Sequence, residues 1–129
     1  MAEPPNVNSV AVDCPNLNNK QITTQTGDKF SFSCGFDIGT GLAAQGGGII
    51  SDIAGIVSYS VSDCVDACSE FSRQSDKWGV AMRCTSVTFD SDMKNVTQTW
   101  GGNCWLKNGT VKPGVEMFSL SSAVSGKIV

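Results

Sequence analysis

The chain has 129 residues and a mass of 13.5 kDa, one domain's worth, with 40% apolar and only 16% charged residues. Its net charge of −3 argues against a sequence-independent hold on nucleic acid or anionic membrane, both of which need basic surface. The lack of any histidine excludes Ser-His-Asp and Cys-His catalysis, His-ligated zinc and an imidazole pH switch.

Residues 1–13 read as a flexible N-terminal arm and residues 14–129 as one domain. The start, Met1 to Pro5, is polar and proline-rich without an apolar core, so the sequence reads as a mature form with an added start Met. No stretch is expected to enter a membrane; the most apolar, 49–57, is short and broken by Ser51 and Asp52. Residues 20–24 and 29–33 alternate apolar and polar positions, predicting a hairpin turned by Thr26-Gly27-Asp28. Phe30, Phe32 and Cys34 then share a face. Residues 35–48 hold Gly35, Gly39, Gly41, Gly46, Gly47 and Gly48, predicting a mobile loop or a set of tight turns. Gly46-Gly47-Gly48 lacks the following Lys and the helix that a phosphate cradle requires.

Ile49 to Tyr59 has the Ile/Val content of a strand. Ser60 is a helix N-cap with Asp63 in the first turn, and the spacing predicts a helix over 61–73. Val61, Cys64, Cys68 and Phe71 form its buried stripe, leaving Asp63, Asp66 and Glu70 on a solvated face. A polar loop with Trp78 follows, then a strand over 84–89 with Val87 and Phe89 facing one way. Residues 90–102 read as a polar excursion carrying Trp100. In the strand 104–107, Cys104 and Leu106 face one side, Trp105 and Lys107 the other. A short segment at 115–120 and a closing strand over 123–129 complete the sheet. There is no internal repeat and no domain boundary.

The six cysteines, Cys14, Cys34, Cys64, Cys68, Cys84 and Cys104, predict a disulfide framework in a small, charge-poor chain. They allow about fifteen pairings, and spacing alone selects none. Cys64 and Cys68 have a spacing that could chelate zinc, but no second close pair accompanies them. Asn95-Val96-Thr97 and Asn108-Gly109-Thr110 are N-glycosylation sequons, so Asn95 and Asn108 are candidate glycan sites and the chain reads as a secreted glycoprotein.

The second half, with Asp63-Cys-Val-Asp-Ala-Cys68 on a helix, Arg83-Cys84 opening a strand and Asn103-Cys104-Trp-Leu-Lys107 forming another, resembles the PAN/Apple family. With Cys14-Pro15 and Cys34-Gly35 in front, the chain is most similar to fungal secreted PAN/Apple-like proteins. The resemblance implies an α+β fold, a single helix packed on a mostly antiparallel sheet. It also implies the pairs Cys64–Cys104 and Cys68–Cys84, which leaves Cys14–Cys34. Segments 36–50 and 90–102 are longer than in compact family members.

The family's members are recognition modules for proteins or carbohydrates, and the residues agree. No Gly-x-Ser-x-Gly is present to expose a serine nucleophile, and no histidine to activate one. Asp90/Asp92 and Asp63/Asp66 are paired carboxylates without a predicted cleft, and Asp90-Ser-Asp92 lacks the rest of a calcium loop. No enzyme activity, catalytic residue, cofactor or metal is therefore expected. Trp78, Trp100 and Trp105 are candidate ligand-binding residues, offering flat faces to a sugar ring or a protein partner. Trp105 is equally readable as core, and Trp78 and Trp100 as lids over it. The expected partner is an extracellular glycan or protein, with self-association through sheet edges as a further mode and no nucleic acid. A structural, adhesive role is the alternative class, though the chain has no repeats and no Ser/Thr-rich stalk.

Overall fold

The computed structural model describes Ser9 and residues 12–129. Most of the expected N-terminal arm lies outside the described residues, and Val12 at its end is partly buried against the main core. The elements are β1 (Gln21–Thr23), β2 (Lys29–Asp37), β3 (Asp52–Ile56), α1 (Val61–Lys77), β4 (Ser86–Asp90), α2 (Met93–Trp100), β5 (Cys104–Lys107) and β6 (Phe118–Ile128). Six strands form one antiparallel sheet in the order β1-β2-β6-β4-β5-β3. Helix α1 packs on one face of it, so the fold is α+β.

The hairpin forms at the expected place, with Ile22 opposite Phe30, and β2 runs on to Asp37 past an irregularity near Cys34. Phe30 and Phe32 point at α1 with Val87, Phe89, Cys104, Leu106 and Val124, and this layer is the main core. Gly126 lies within it because a Cβ there would sit 2.7 Å from a Phe32 ring carbon and 3.3 Å from a Val87 methyl. The chain uses the missing side chain to seat that ring.

Ser60 caps α1, its hydroxyl accepting the Asp63 N–H at 3.0 Å. The helix extends beyond residue 73, to Lys77. The reason is a second row of small residues on its buried side, Ser69, Ser72 and Ser75, next to Val61, Val65 and Cys68. Ser72 both donates to the Cys84 carbonyl (3.0 Å) and accepts its N–H (2.9 Å), so a polar side chain is satisfied in the core. Phe71 is only half-buried.

The disulfides are Cys14–Cys34, Cys64–Cys104 and Cys68–Cys84, the three pairs that the family resemblance implies. No described cysteine is free, so the zinc alternative for Cys64 and Cys68 falls. Two of the bridges tie α1 to β5 and to the approach to β4. No described helix is long and apolar enough to cross a membrane.

Two further expectations need correction. The 90–102 segment contains helix α2 rather than only an irregular excursion. The segments 115–120 and 123–129 join in the single strand β6. Of the two readings of the glycine-rich stretch, the structure has the set of tight turns, with its own small core in which Ile38, Ala44 and Ile50 are buried against Leu42, Val111 and Met117. Bridges from Ala43 to Ile49 and Ala44 to Val111 hold it. Gly46, Gly47 and Gly48 all have φ between 74° and 111°, a run that residues with a side chain rarely adopt.

Candidate functional site

Strand alternation sends Ser86, Thr88, Asp90, Trp105 and Lys107 to the sheet face opposite α1. The glycine-rich segment covers the middle of this face. The Ile38 N–H donates to Thr88 Oγ1 at 3.0 Å, and the Ser86 hydroxyl donates to the Gly109 carbonyl. Toward β3 the cover stops, and a groove of about 330 Å³ remains. Trp105 and Lys107 of β5, Asp90 of β4 and Asp52 of β3 line it from the sheet. Asp37, Gly39 and Thr40 line it from the end of β2, Leu120 from β6, and Val96 and Trp100 from α2.

Helix α2 is what brings Trp100 there. Met93 is buried, and Val96 and Trp100 follow at helical spacing on the groove side. Gly101, at φ 77°, ends the helix in the left-handed conformation, its N–H donating to the Thr97 carbonyl at 2.9 Å. Trp100 is 71% exposed, so it is not a lid folded back on the core. Trp105 is half-buried. Its ring lies across Gly55, its partner on β3, where a Cβ would fall 2.1 Å from Cζ3 and 2.6 Å from Cε3. Gly55→Ala is therefore expected to push the ring from its seat, altering the near-UV circular dichroism and lowering stability by about 1–3 kcal/mol. An unchanged spectrum and Tm would show that the ring is not held there.

Lys107 is only 3% exposed, and its ammonium pairs with Asp52 Oδ1. Thr40 Oγ1 donates to the other Asp52 oxygen at 3.0 Å, so that carboxylate is engaged on both sides. Asp90 is 6% exposed and accepts the Asp92 N–H on Oδ1 at 2.9 Å. The carboxylate of Asp37 has no hydrogen-bond or ion-pair partner among the described residues, and neither do the indole N–H groups of Trp100 and Trp105. The groove thus combines two aromatic rings, unused donors and acceptors, and three carboxylates against one ammonium.

Behind this groove stands Asn103, which sequence reasoning did not single out. It is fully buried: its Oδ1 accepts the Ser58 N–H at 2.8 Å, and its Nδ2 donates to the carbonyls of Ser58 (2.8 Å) and Asp90 (3.1 Å). It fixes the end of β4, where Asp90 sits, to the chain entering α1.

The remaining candidate residues lie elsewhere. Trp78 is the C-cap of α1 and 76% exposed, in the helix layer on the other side of the sheet from the groove. Nearby, the Arg83 guanidinium is hydrogen-bonded to Asp76, which raises its pKa beyond the ordinary arginine value, so its charge is fixed. A shallower depression beside it, of about 210 Å³, includes Thr26, Asp28 and Ser69. There the Ser69 hydroxyl bonds Thr24 (2.9 Å), Thr26 and Asp28, clamping the hairpin turn onto α1. Asp66 helps by accepting the Gln25 N–H at 3.0 Å.

Asn95 and Asn108 are both exposed. Asn95 lies on α2 about 100° around the helix from Val96, so its side chain leaves the groove side free. Asn108 Oδ1 accepts the Ser51 N–H at 2.9 Å. Among the described residues no group of three or more His, Cys, Asp or Glu side chains is placed to hold a metal ion. The chain matches no protein-family model, no curated protein and no solved structure.

Proposed function

We propose that this chain is a secreted, non-catalytic recognition module of the PAN/Apple type that binds carbohydrate in the Trp100–Trp105 groove. The observation that carries the reading is the convergence of two accessible tryptophans with carboxylates and unused indole donors in one open groove. Sugar rings present C–H faces that pack on aromatic rings, and hydroxyls that both donate to carboxylates and accept from N–H groups. Secretion is supported by three disulfides, which persist in oxidising compartments. The exposed sequon residues Asn95 and Asn108 fit a glycoprotein. Asp52 is already held by Lys107 and Thr40, and the chain has no histidine, which supports binding over catalysis.

The test is a glycan array followed by calorimetric titration of the oligosaccharide that binds. Trp100→Ala and Trp105→Ala should each weaken binding by roughly ten- to a hundredfold, the loss of about 1.4–2.8 kcal/mol. Trp78→Ala should retain wild-type affinity. No binding to any glycan, or binding untouched by both groove variants, would refute the reading.

A second reading is contact with a protein, including a second copy of the chain. It is favoured by the exposed run of Trp78, Val80 and Met82 after α1. That mode would reverse the outcome above, with Trp78→Ala losing the partner and the groove variants keeping it.

A further inference from the structure

We infer that the groove selects glycans bearing a free amine, that is, oligomers of glucosamine, over their acetylated or acidic counterparts; this rests on the carbohydrate-binding reading above. The groove's single ammonium, on Lys107, is already paired with Asp52. No cation among the described residues pairs with Asp37 or with Asp90. Asp90 is also nearly buried, where a carboxylate attracts a cation more strongly than it does in open solvent. The aromatic rings act in the same direction. A protonated amine is drawn to the face of an indole as well as to a carboxylate, and Trp100 and Trp105 line the same space.

Each sugar type meets this environment differently. A glucosamine unit can rest its ring on a tryptophan and place its ammonium against Asp37, with the carboxylate of Asp90 adding to the attraction. An N-acetylglucosamine unit keeps the ring contact and loses the charge. A uronic acid unit brings a carboxylate toward two others with no free cation between them, which is repulsive. The groove's charge therefore discriminates among sugars that its aromatic rings alone would accept equally.

The experiment titrates the folded chain with glucosamine, N-acetylglucosamine, glucose and galacturonate oligomers of equal length, in mildly acidic buffer that keeps the sugar amine protonated. The glucosamine oligomer should bind about tenfold or more tightly than the acetylated one, the size of one charge-assisted hydrogen bond. The galacturonate oligomer should bind weakest. Asp37→Asn should reduce the glucosamine preference to below about threefold, and raising the salt concentration should narrow it as well. An equal or tighter hold on the acetylated or acidic oligomer would overturn the inference while leaving carbohydrate binding intact. A preference unchanged in Asp37→Asn would overturn it too, since the cationic sugar would then be held by the chain's overall negative charge. Absence of binding to all four would bring down the carbohydrate reading and this inference together.

Discussion

Replacing Cys64 and Cys104 together by alanine is expected to cost about 4 kcal/mol and to lower Tm by roughly 15 °C. The bridge spans 40 residues, so its loss frees the longest disulfide-closed loop in the chain. Both sulfurs are fully buried in the main core, and their removal also leaves unfilled volume between α1 and β5. Replacing Cys14 and Cys34 by alanine should cost less. Cys14 is exposed at the periphery, and its segment can fray while the core persists. Urea and thermal unfolding followed by circular dichroism separate the two cases. A loss below about 1 kcal/mol for the Cys64/Cys104 pair would mean that α1 is held by packing alone.

Asn103→Ala should be nearly as damaging, at about 3 kcal/mol or more, through a different mechanism. The substitution strands the Ser58 N–H and two carbonyls in the interior, and each buried polar group left without a partner costs about 1–3 kcal/mol. Asn103→Asp is no remedy. The carboxylate still accepts the Ser58 N–H but faces the carbonyls of Ser58 and Asp90 with no hydrogen to give. Because Asp90 lines the groove, the same variants should weaken sugar binding even under conditions where they fold. A Tm within a few degrees of wild type for Asn103→Ala would show that water or rearrangement satisfies these groups.

The parts of the fold that were legible in sequence are those in which local pattern and packing agree. The hairpin shows strict alternation, and α1 has a cap and an apolar stripe. The helix runs past residue 73 because Ser72 and Ser75, polar residues outside the apolar stripe, are buried, Ser72 by its bonds to Cys84. Helix α2 was hidden by Asn95 and the β-branched Val96, Thr97 and Thr99, which weigh against a helix. A signal was present, in Met93, Val96 and Trp100 at spacings of three and four before Gly101. Strand β6 was split because Ser119, Ser121 and Ser122 masked its continuity.

The site was half legible. Two of the three tryptophans do line one groove, but nothing in the sequence near Trp78 distinguishes it from Trp100. Only the topology, which puts α2 and the outer face of β5 on one side and α1 on the other, separates them. Asp37 and Asp52 lie far from Trp100 along the chain, and no local pattern marks them. The role of Asn103 depends on Ser58, 45 residues earlier, a contact that only the folded chain creates.

The three tryptophans give three distinct indole N–H signals in a proton–nitrogen NMR spectrum, assignable by replacing each with phenylalanine. Titration with a glucosamine oligomer should move the Trp100 and Trp105 signals together, saturating at one affinity, while the Trp78 signal stays in place. Movement of Trp78 alone, or a saturating interaction that leaves Trp100 and Trp105 unmoved, would contradict the assignment of recognition to the groove.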